Sequence, residues 1–391
     1  MNRYDVIVVG GGPGGSSAAL HLTGAGARVL VLDQARFPRY KTCGGAVPRS
    51  VLQRFPFDSA LPSAQIAEVR YSLAGKREVR VPMPGRPVKM FMRDRFDAHL
   101  LQHCGAQVRE GCAAREVSEQ AQGVRVVTET GEVIHARYLV GADGAKSLVA
   151  QQLRVPRARR PGGAVEVEAT APPHLMDRYA DAALFEFGAV PNGYVWIFPK
   201  GEHLSVGIGA MSATHAVLKE ILWREMKRFG LSLDGAVAHA HPIPIYPGRR
   251  RFHTRRSLLV GDAAGLADGL VGEGIRYAIK SGQLAAECIT RGAIAEYTRL
   301  VRRRIGWSLS WANFGAWIFY NLPEICFFIG AVNPHSTEGF IATLNDEYGY
   351  DWLTPYIVAC AAESLATFKW VKPLFIPASD SSPSWKPAPE A

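Results

Sequence analysis

One stretch near the start of the chain constrains the fold more than any other. Gly10-x-Gly12-x-x-Gly15 stands between the apolar run Tyr4-Asp-Val-Ile-Val-Val9 and a helical pattern over 14–25 that Gly26 ends. The apolar run reads as a strand buried on both faces, and residues 28–32 (Arg-Val-Leu-Val-Leu) read as a second. Together they make one strand–helix–strand unit. The first glycine of such a unit permits the tight turn, the second lets a pyrophosphate approach the backbone, and the third lets helix and strand pack closely. Pro13 and Gly14 open the helix, whose N-terminal N–H groups and dipole favour phosphate. Asp33 ends the second strand, where a carboxylate can accept hydrogen bonds from a ribose.

The rest of the chain excludes several classes. With 391 residues, 48% of them hydrophobic and 20% charged, it can bury a large core and is neither disordered nor a disulfide scaffold. Its 6 cysteines, at 43, 104, 112, 288, 326 and 360, form no Cys-x-x-Cys pair, so no metal site is expected. Scattered thiols and the lack of a signal-peptide pattern suggest a reducing, cytoplasmic setting. The net charge of +10 gathers in three arginine clusters, at 154–160, 249–256 and 299–304. No nucleic-acid-binding motif accompanies them, and nucleic acid is not an expected partner. Strand patterns recur at 66–73, 76–81, 105–128, 131–140 and between 163 and 210. Helices are expected at 94–103, 214–229 and 274–291, and a disordered tail from 377.

Two later segments identify the dinucleotide by resemblance. Tyr138-Leu-Val-Gly-Ala-Asp143-Gly144, followed by Ser147, resembles the second fingerprint of the FAD-dependent hydroxylase superfamily. Leu258-Leu-Val-Gly261-Asp262-Ala-Ala-Gly265 resembles its third, in which the Asp meets the ribityl chain of the flavin. Gly272-Glu-Gly274-Ile275 then opens a helix whose N–H groups can face the flavin ring. Arg93-x-x-Phe96-Asp97 is similar to a superfamily motif whose Arg lies near FAD. Two further segments narrow the family. Lys41-x-Cys43-Gly44-Gly45 and Pro191-x-x-Tyr194-x-Trp196-x-Phe-Pro199 resemble motifs of the geranylgeranyl reductases, and the Ala46-Val47-Pro48 continuation looks closer to their chlorophyll-type branch. The resemblance covers about residues 1–300.

It implies an α/β fold with a discontinuous, Rossmann-like FAD-binding domain (1–60, 90–160 and 250–300) and an inserted antiparallel-sheet substrate domain (61–89 and 161–249); beyond it, the residues 301–376 read as a helical C-terminal part. The function it implies is reduction of C=C bonds in a prenyl chain on a lipid, quinone or chlorophyll-like carrier. NADPH or a reduced redox protein would be a transient electron donor, because Gly207-x-Gly209 opens no helix and forms no second dinucleotide site. Two competitors remain: a monooxygenase or halogenase of the same superfamily, and a non-enzymatic prenyl-binding escort.

The residues themselves suggest roles. Cys43 is a candidate proton donor, a gate for the flavin, or a small buried residue without chemistry. Gly44 and Gly45 permit close approach to a ring. Tyr194 and Trp196 alternate on a strand, so both point to one face and can line an apolar slot or belong to ordinary sheet core. Lys41 and Arg39 can neutralise phosphate or sit exposed on a loop, and Lys200 reads as a turn residue. Residues 305–333 carry one charge, Glu324, directly after Arg302, Arg303 and Arg304. Trp307, Trp311, Phe314 and Ile318 fall on one helical stripe there. An interfacial or tunnel-lining helix is expected, hence peripheral contact with a membrane, with plain core and a membrane-spanning helix as the alternatives.

Overall fold

The computed structural model describes residues 4–367, apart from 54, 56–60, 76, 77, 84, 86, 87, 157–161 and 212. The tail expected from 377, the end of the helical part (368–376) and the arginines at 157, 159 and 160 lie outside the described residues.

The strand Tyr4–Val9 lies at the centre of a seven-stranded sheet, parallel to Val29–Leu32 on one side and Val133–Gly141 on the other. Val133–Gly141 works twice along its other edge. Val133 to Ala136 pair antiparallel with the strand Gly123–Thr128, and Leu139 to Gly141 pair parallel with Ser257–Leu259. One long strand thus joins an antiparallel meander to a parallel sheet. Gly10, Asp33, Asp143 and Asp262 all follow the carboxyl ends of parallel strands, where open α/β sheets bind ligands. The helices Pro13–Gly24 and Ile275–Thr290 pack together on this sheet. A Cβ at Gly282 would stand 2.3 Å from the Gly14 carbonyl oxygen, so the crossing requires a glycine there.

The second sheet has the order His239–Ile243, Gly162–Ala169, Leu204–Ala210, Gly193–Pro199, Ala182–Phe187, Glu68–Leu73, Glu78–Pro82. It is antiparallel except where Ala182–Phe187 runs parallel to Glu68–Leu73. Alternation sorts its residues. Val165, Val167, Val195, Ile197, Val206 and Ile208 pack beneath the helix His215–Arg228. Ala164, Phe185, Tyr194, Trp196 and Phe198 face the other way. A third, small sheet joins Ala46–Val47, Val88–Phe91 and Ser63–Ile66.

The apolar run at 305–333 forms two helices, Trp307–Asn321 and Pro323–Val332, separated at Leu322 where proline cannot continue the first. Pro334–Leu344 and Tyr350–Thr367 complete the helical part. Among the described residues, no helix is long and apolar enough to cross a membrane. This part is fastened to the helix Ile275–Thr290 by a buried arginine. Arg276 donates to the Thr343 carbonyl at 2.6 Å and pairs with Glu273 (2.6 Å) and Asp346 (3.3 Å). Arg302 donates to the Arg250 carbonyl at 3.1 Å. Two arginine clusters far apart in sequence are therefore neighbours.

Candidate active site

A single cavity of about 850 Å³ runs from Asp33 to the aromatic side of the second sheet. Gly10, Gly12, Pro13, Gly14, Asp33, Lys41, Cys43, Gly44, Gly45, Arg93, Asp143, Tyr194, Trp196, Gly261, Asp262, Gly272, Gly274 and Ile275 all line it. Gly15 stands just behind. A Cβ on it would lie 1.9 Å from the Gly10 carbonyl oxygen, and one on Gly10 (φ +104°) 2.3 Å from that of Ala142. The turn closes this tightly only with glycine at both positions. Asp33 is held by the Gly11 and Ala35 N–H groups, at 2.7 and 2.8 Å.

The phosphate end is cationic. Asp97 is fully buried and accepts two bonds from Arg93 (2.8 and 2.9 Å) and one from Arg39 (2.9 Å). Burial works against the Arg93 charge, but Asp97 and Cys43 together more than offset it and raise the Arg93 pKa. Arg39 is not an exposed loop cation. Its Nη2 lies 3.5 Å from where a Gly12 Cβ would be, and its Nη1 is buried without a protein partner. A free buried donor beside a glycine turn fits a phosphate of FAD, and Asp33 fits its ribose.

Lys41 joins two distant segments. Its Nζ is 3.8 Å from Asp262 Oδ2 and 2.5 Å from His241 Nε2. Burial lowers the Lys41 pKa, and burial together with the Lys41 charge brings His241 down to about 4. A neutral His241 accepts the lysine proton donor. Asp143 receives the Ser147 hydroxyl (2.6 Å) and the Val149 N–H (3.0 Å), so both its oxygens shape the loop and cap the helix Leu148–Gln152. Asp268, not singled out from sequence, is fully buried and takes the N–H groups of Leu270, Val271 and Glu273 at 2.7–2.8 Å. It shapes the turn that carries Gly272 and Gly274; its only sequence signal is the Asp-Gly dipeptide.

The far end is apolar. Tyr194, Trp196 and Phe198 alternate along their strand and face the cavity with Phe185, opposite Ile66, Val69, Met83, Val88 and Met90. The Tyr194 hydroxyl donates to the Val271 carbonyl at 2.5 Å, and Trp196 Nε1 to Ser205 Oγ at 3.1 Å. Gly207 is paired directly with Trp196, and a Cβ there would lie 2.1 Å from the indole. Gly207-x-Gly209 thus makes room for the ring.

Cys43 stands where the two ends meet. The Gly45 N–H faces its Sγ at 3.4 Å. Gly44 lies against Phe198, where a Cβ would come within 2.6 Å of the ring. Lys200, expected as a turn residue, is buried. Its Nζ donates to the Phe91 carbonyl at 2.7 Å and reaches the Cys43 carbonyl at 3.4 Å. No sequence signal marks His241 or Lys200 as partners of the Cys43 loop, because one lies in a strand of the second sheet and the other directly follows one.

Comparison with known proteins agrees with this geometry. The FAD binding domain family matches residues 3–286. Geranylgeranyl diphosphate reductase of Rhodobacter capsulatus is 32% identical over 296 residues, covering 73% of this chain and 74% of that protein. Menaquinone reductase of Mycolicibacterium smegmatis is 30% identical over 322 residues, covering 76% and 78%. The crystal structure of a geranylgeranyl bacteriochlorophyll reductase-like protein from Thermoplasma acidophilum shares the fold, with a TM-score of 0.70 and 22% identity over 96% of this chain and 99% of that one. The glycine turn, the Asp262 strand end and the aromatic strand thus belong to a flavin-dependent oxidoreductase, and the chain is a member of the geranylgeranyl reductase family.

Proposed function

We propose that this enzyme saturates C=C bonds of a prenyl chain carried on a lipid, quinone or chlorophyll-like group. The observation that carries the reading is the continuous cavity, cationic and glycine-lined at one end, aromatic and aliphatic at the other, with Cys43 at the junction. FAD bound there and reduced supplies hydride chemistry. Everything else falls to the chain. Gly10, Gly12, Gly14, Arg39 and Asp33 bind the cofactor's phosphates and ribose, and Lys41 with Asp262 holds its ribityl side. Tyr194, Trp196 and Phe198 orient an apolar chain and exclude water. An isolated alkene is a poor hydride acceptor, so a proton must be delivered as the hydride arrives; the Cys43 thiol is the acid. The electron donor is NADPH or a small reduced protein that docks transiently.

The helix Trp307–Asn321 supports a second part of the reading, peripheral attachment to a membrane. Trp307, Phe314 and Trp317 are 59%, 48% and 64% exposed, and the run Trp307, Trp311, Phe314, Trp317 forms successive ring contacts of 6.0–6.3 Å. Arg302, Arg303 and Arg304 are exposed at its start, although Arg304 also pairs with Glu287 at 2.7 Å. Tryptophan at headgroup depth beside cations fits an anionic bilayer surface. The helical part also reaches the cavity through Leu344 and meets the substrate sheet where Phe319 packs edge-on against Phe187.

The test is anaerobic incubation of the FAD-loaded protein with dithionite and a geranylgeranyl substrate, read by mass spectrometry. A gain of two hydrogens per bond is expected. Oxygen-dependent formation of a hydroxylated or halogenated product would instead identify a monooxygenase or halogenase, and prenyl binding without any turnover an escort.

A further inference from the structure

The loop that carries Cys43 is pinned on two sides, and one of its anchors has no part in the reading above. Arg39 and Lys41 tie it to the first sheet's side, through Asp97 of the helix Arg93–Gln102 at 2.9 Å and Asp262 at 3.8 Å. Tyr40, between them, turns to the second sheet. Its ring lies 4.2 Å from the His239 ring, centroid to centroid, and its hydroxyl donates to Glu166 Oε1 at 2.7 Å. His239 and Glu166 are direct partners across the antiparallel strands His239–Ile243 and Gly162–Ala169. Ala164 is paired in the same way with His241, which meets Lys41 Nζ at 2.5 Å. Tyr40 and Lys41 thus dock on successive same-side positions of the edge strand, three and two residues before Cys43.

Glu166 is 0% exposed, and its Oε2 is buried without a partner among the described residues. An acid so placed costs stability that an apolar side chain would not. What it provides is an acceptor for the Tyr40 hydroxyl. Burial and the Glu168 charge raise the Glu166 pKa to about 7, and in either protonation state Oε1 can accept. Burial, then the Glu166 charge, raise the Tyr40 pKa, so the hydroxyl keeps its proton and donates.

We propose that Glu166 is a positioning residue for the alkene reduction. Through the Tyr40 hydroxyl it holds the Cys43 loop against the edge of the second sheet, and so fixes where Cys43 stands at the junction of the cavity. The inference rests on the reading above that places the reaction at Cys43, and it holds whether that thiol delivers a proton or gates the flavin. Glu166 touches neither cofactor nor substrate in this scheme and exchanges no proton with them. Its effect is geometric: a displacement of about 1 Å between reacting groups costs about 10²-fold in rate.

Tyr40→Phe tests it, because phenylalanine keeps the ring on His239 and removes only the hydrogen bond. In the FAD-loaded variant kcat for alkene reduction should fall by about 10- to 100-fold, with KM, FAD affinity and the rate of flavin reduction unchanged. Glu166→Ala should match it, and the double variant should be no slower than either single one. Glu166→Gln, which keeps an acceptor for Tyr40, should recover most of the rate. A second readout needs no substrate. Alkylation of Cys43 by iodoacetamide in the FAD-loaded protein, followed on its own peptide by mass spectrometry, should quicken about tenfold in Tyr40→Phe and in Glu166→Ala but not in Glu166→Gln. Wild-type turnover in Tyr40→Phe would overturn the positioning role, as would losses that multiply in the double variant, since the two residues would then act separately. If the alkylation rates change as expected while the wild-type protein reduces no alkene, the hold on the loop stands and the proposed reaction falls.

Discussion

The two ends of the cavity are built on different principles. The phosphate end is mostly backbone, with Gly10, Gly12, Pro13 and Gly14 following one strand and Asp33 ending its neighbour. The substrate end is all side chain. Ile66, Met90, Phe185, Trp196 and Ile243 come from five strands spread over nearly half the described chain. A backbone-built end cannot vary, because a Cβ at Gly10 or Gly15 collides with carbonyl oxygens. A side-chain-built end can change shape by exchange of one apolar residue for another while the sheet persists. The contrast explains how relatives named for geranylgeranyl diphosphate and for menaquinone can keep one cofactor fold.

Cys43→Ala strikes the junction and should have the largest effect. Alkene reduction should fall about 10²–10⁴-fold, with flavin content and flavin reduction rate unchanged by absorbance. Normal alkene reduction in that variant would remove the acid from the scheme.

A paired substitution breaks the comparison directly. Gly15→Ala should destabilise the fold by about 1–3 kcal/mol or more through overpacking and release FAD on gel filtration. Phe198→Leu should keep FAD and alter the preferred prenyl chain length. Equal flavin loss in both would mean that the ends are not separable. More narrowly, Asp262→Ala should weaken FAD binding by about 1–3 kcal/mol through loss of a partly buried partner, measured by fluorescence titration of the apoprotein.

The pH dependence of stability sharpens the substrate end. Glu166 is raised from 4.5 to about 7 on folding, so the native state binds the extra proton between those values. Its contribution is present below about 4.5 and is lost as pH rises through about 7. The melting temperature should therefore decline over that window in wild type and decline less in Glu166→Gln.

The smallest effects belong to the surface. Replacing Trp307 and Trp311 with Ser should release the protein from liposomes and raise KM only for a lipid-embedded substrate. Replacing Arg302, Arg303 and Arg304 should weaken binding to anionic liposomes by about 1 kcal/mol per charge, and added salt should mimic it. A wild-type protein that ignores anionic liposomes at low salt would leave the aromatic face without a membrane role.

What the sequence determined by itself is the cofactor end. Gly10, Gly15 and Asp33 are legible because they sit next to the strands that present them, and Asp262 through its resemblance to a superfamily fingerprint. The one-face placement of Tyr194 and Trp196 was legible for the same reason, since strand alternation is a local rule. Tertiary structure decided the rest. Nothing local tells that Gly207 exists to seat Trp196, that Asp97 draws Arg39 and Arg93 together, or that Lys200 is a buried clamp on the Cys43 loop. Sequence also left Glu166 and Glu168 as two polar residues in a strand. Only the packing of Tyr40 against that strand helps to remove water from Glu166 and makes its charge expensive to keep. Interactions that depend on a neighbour from another segment, and on the solvent that segment displaces, come into being with the packed fold.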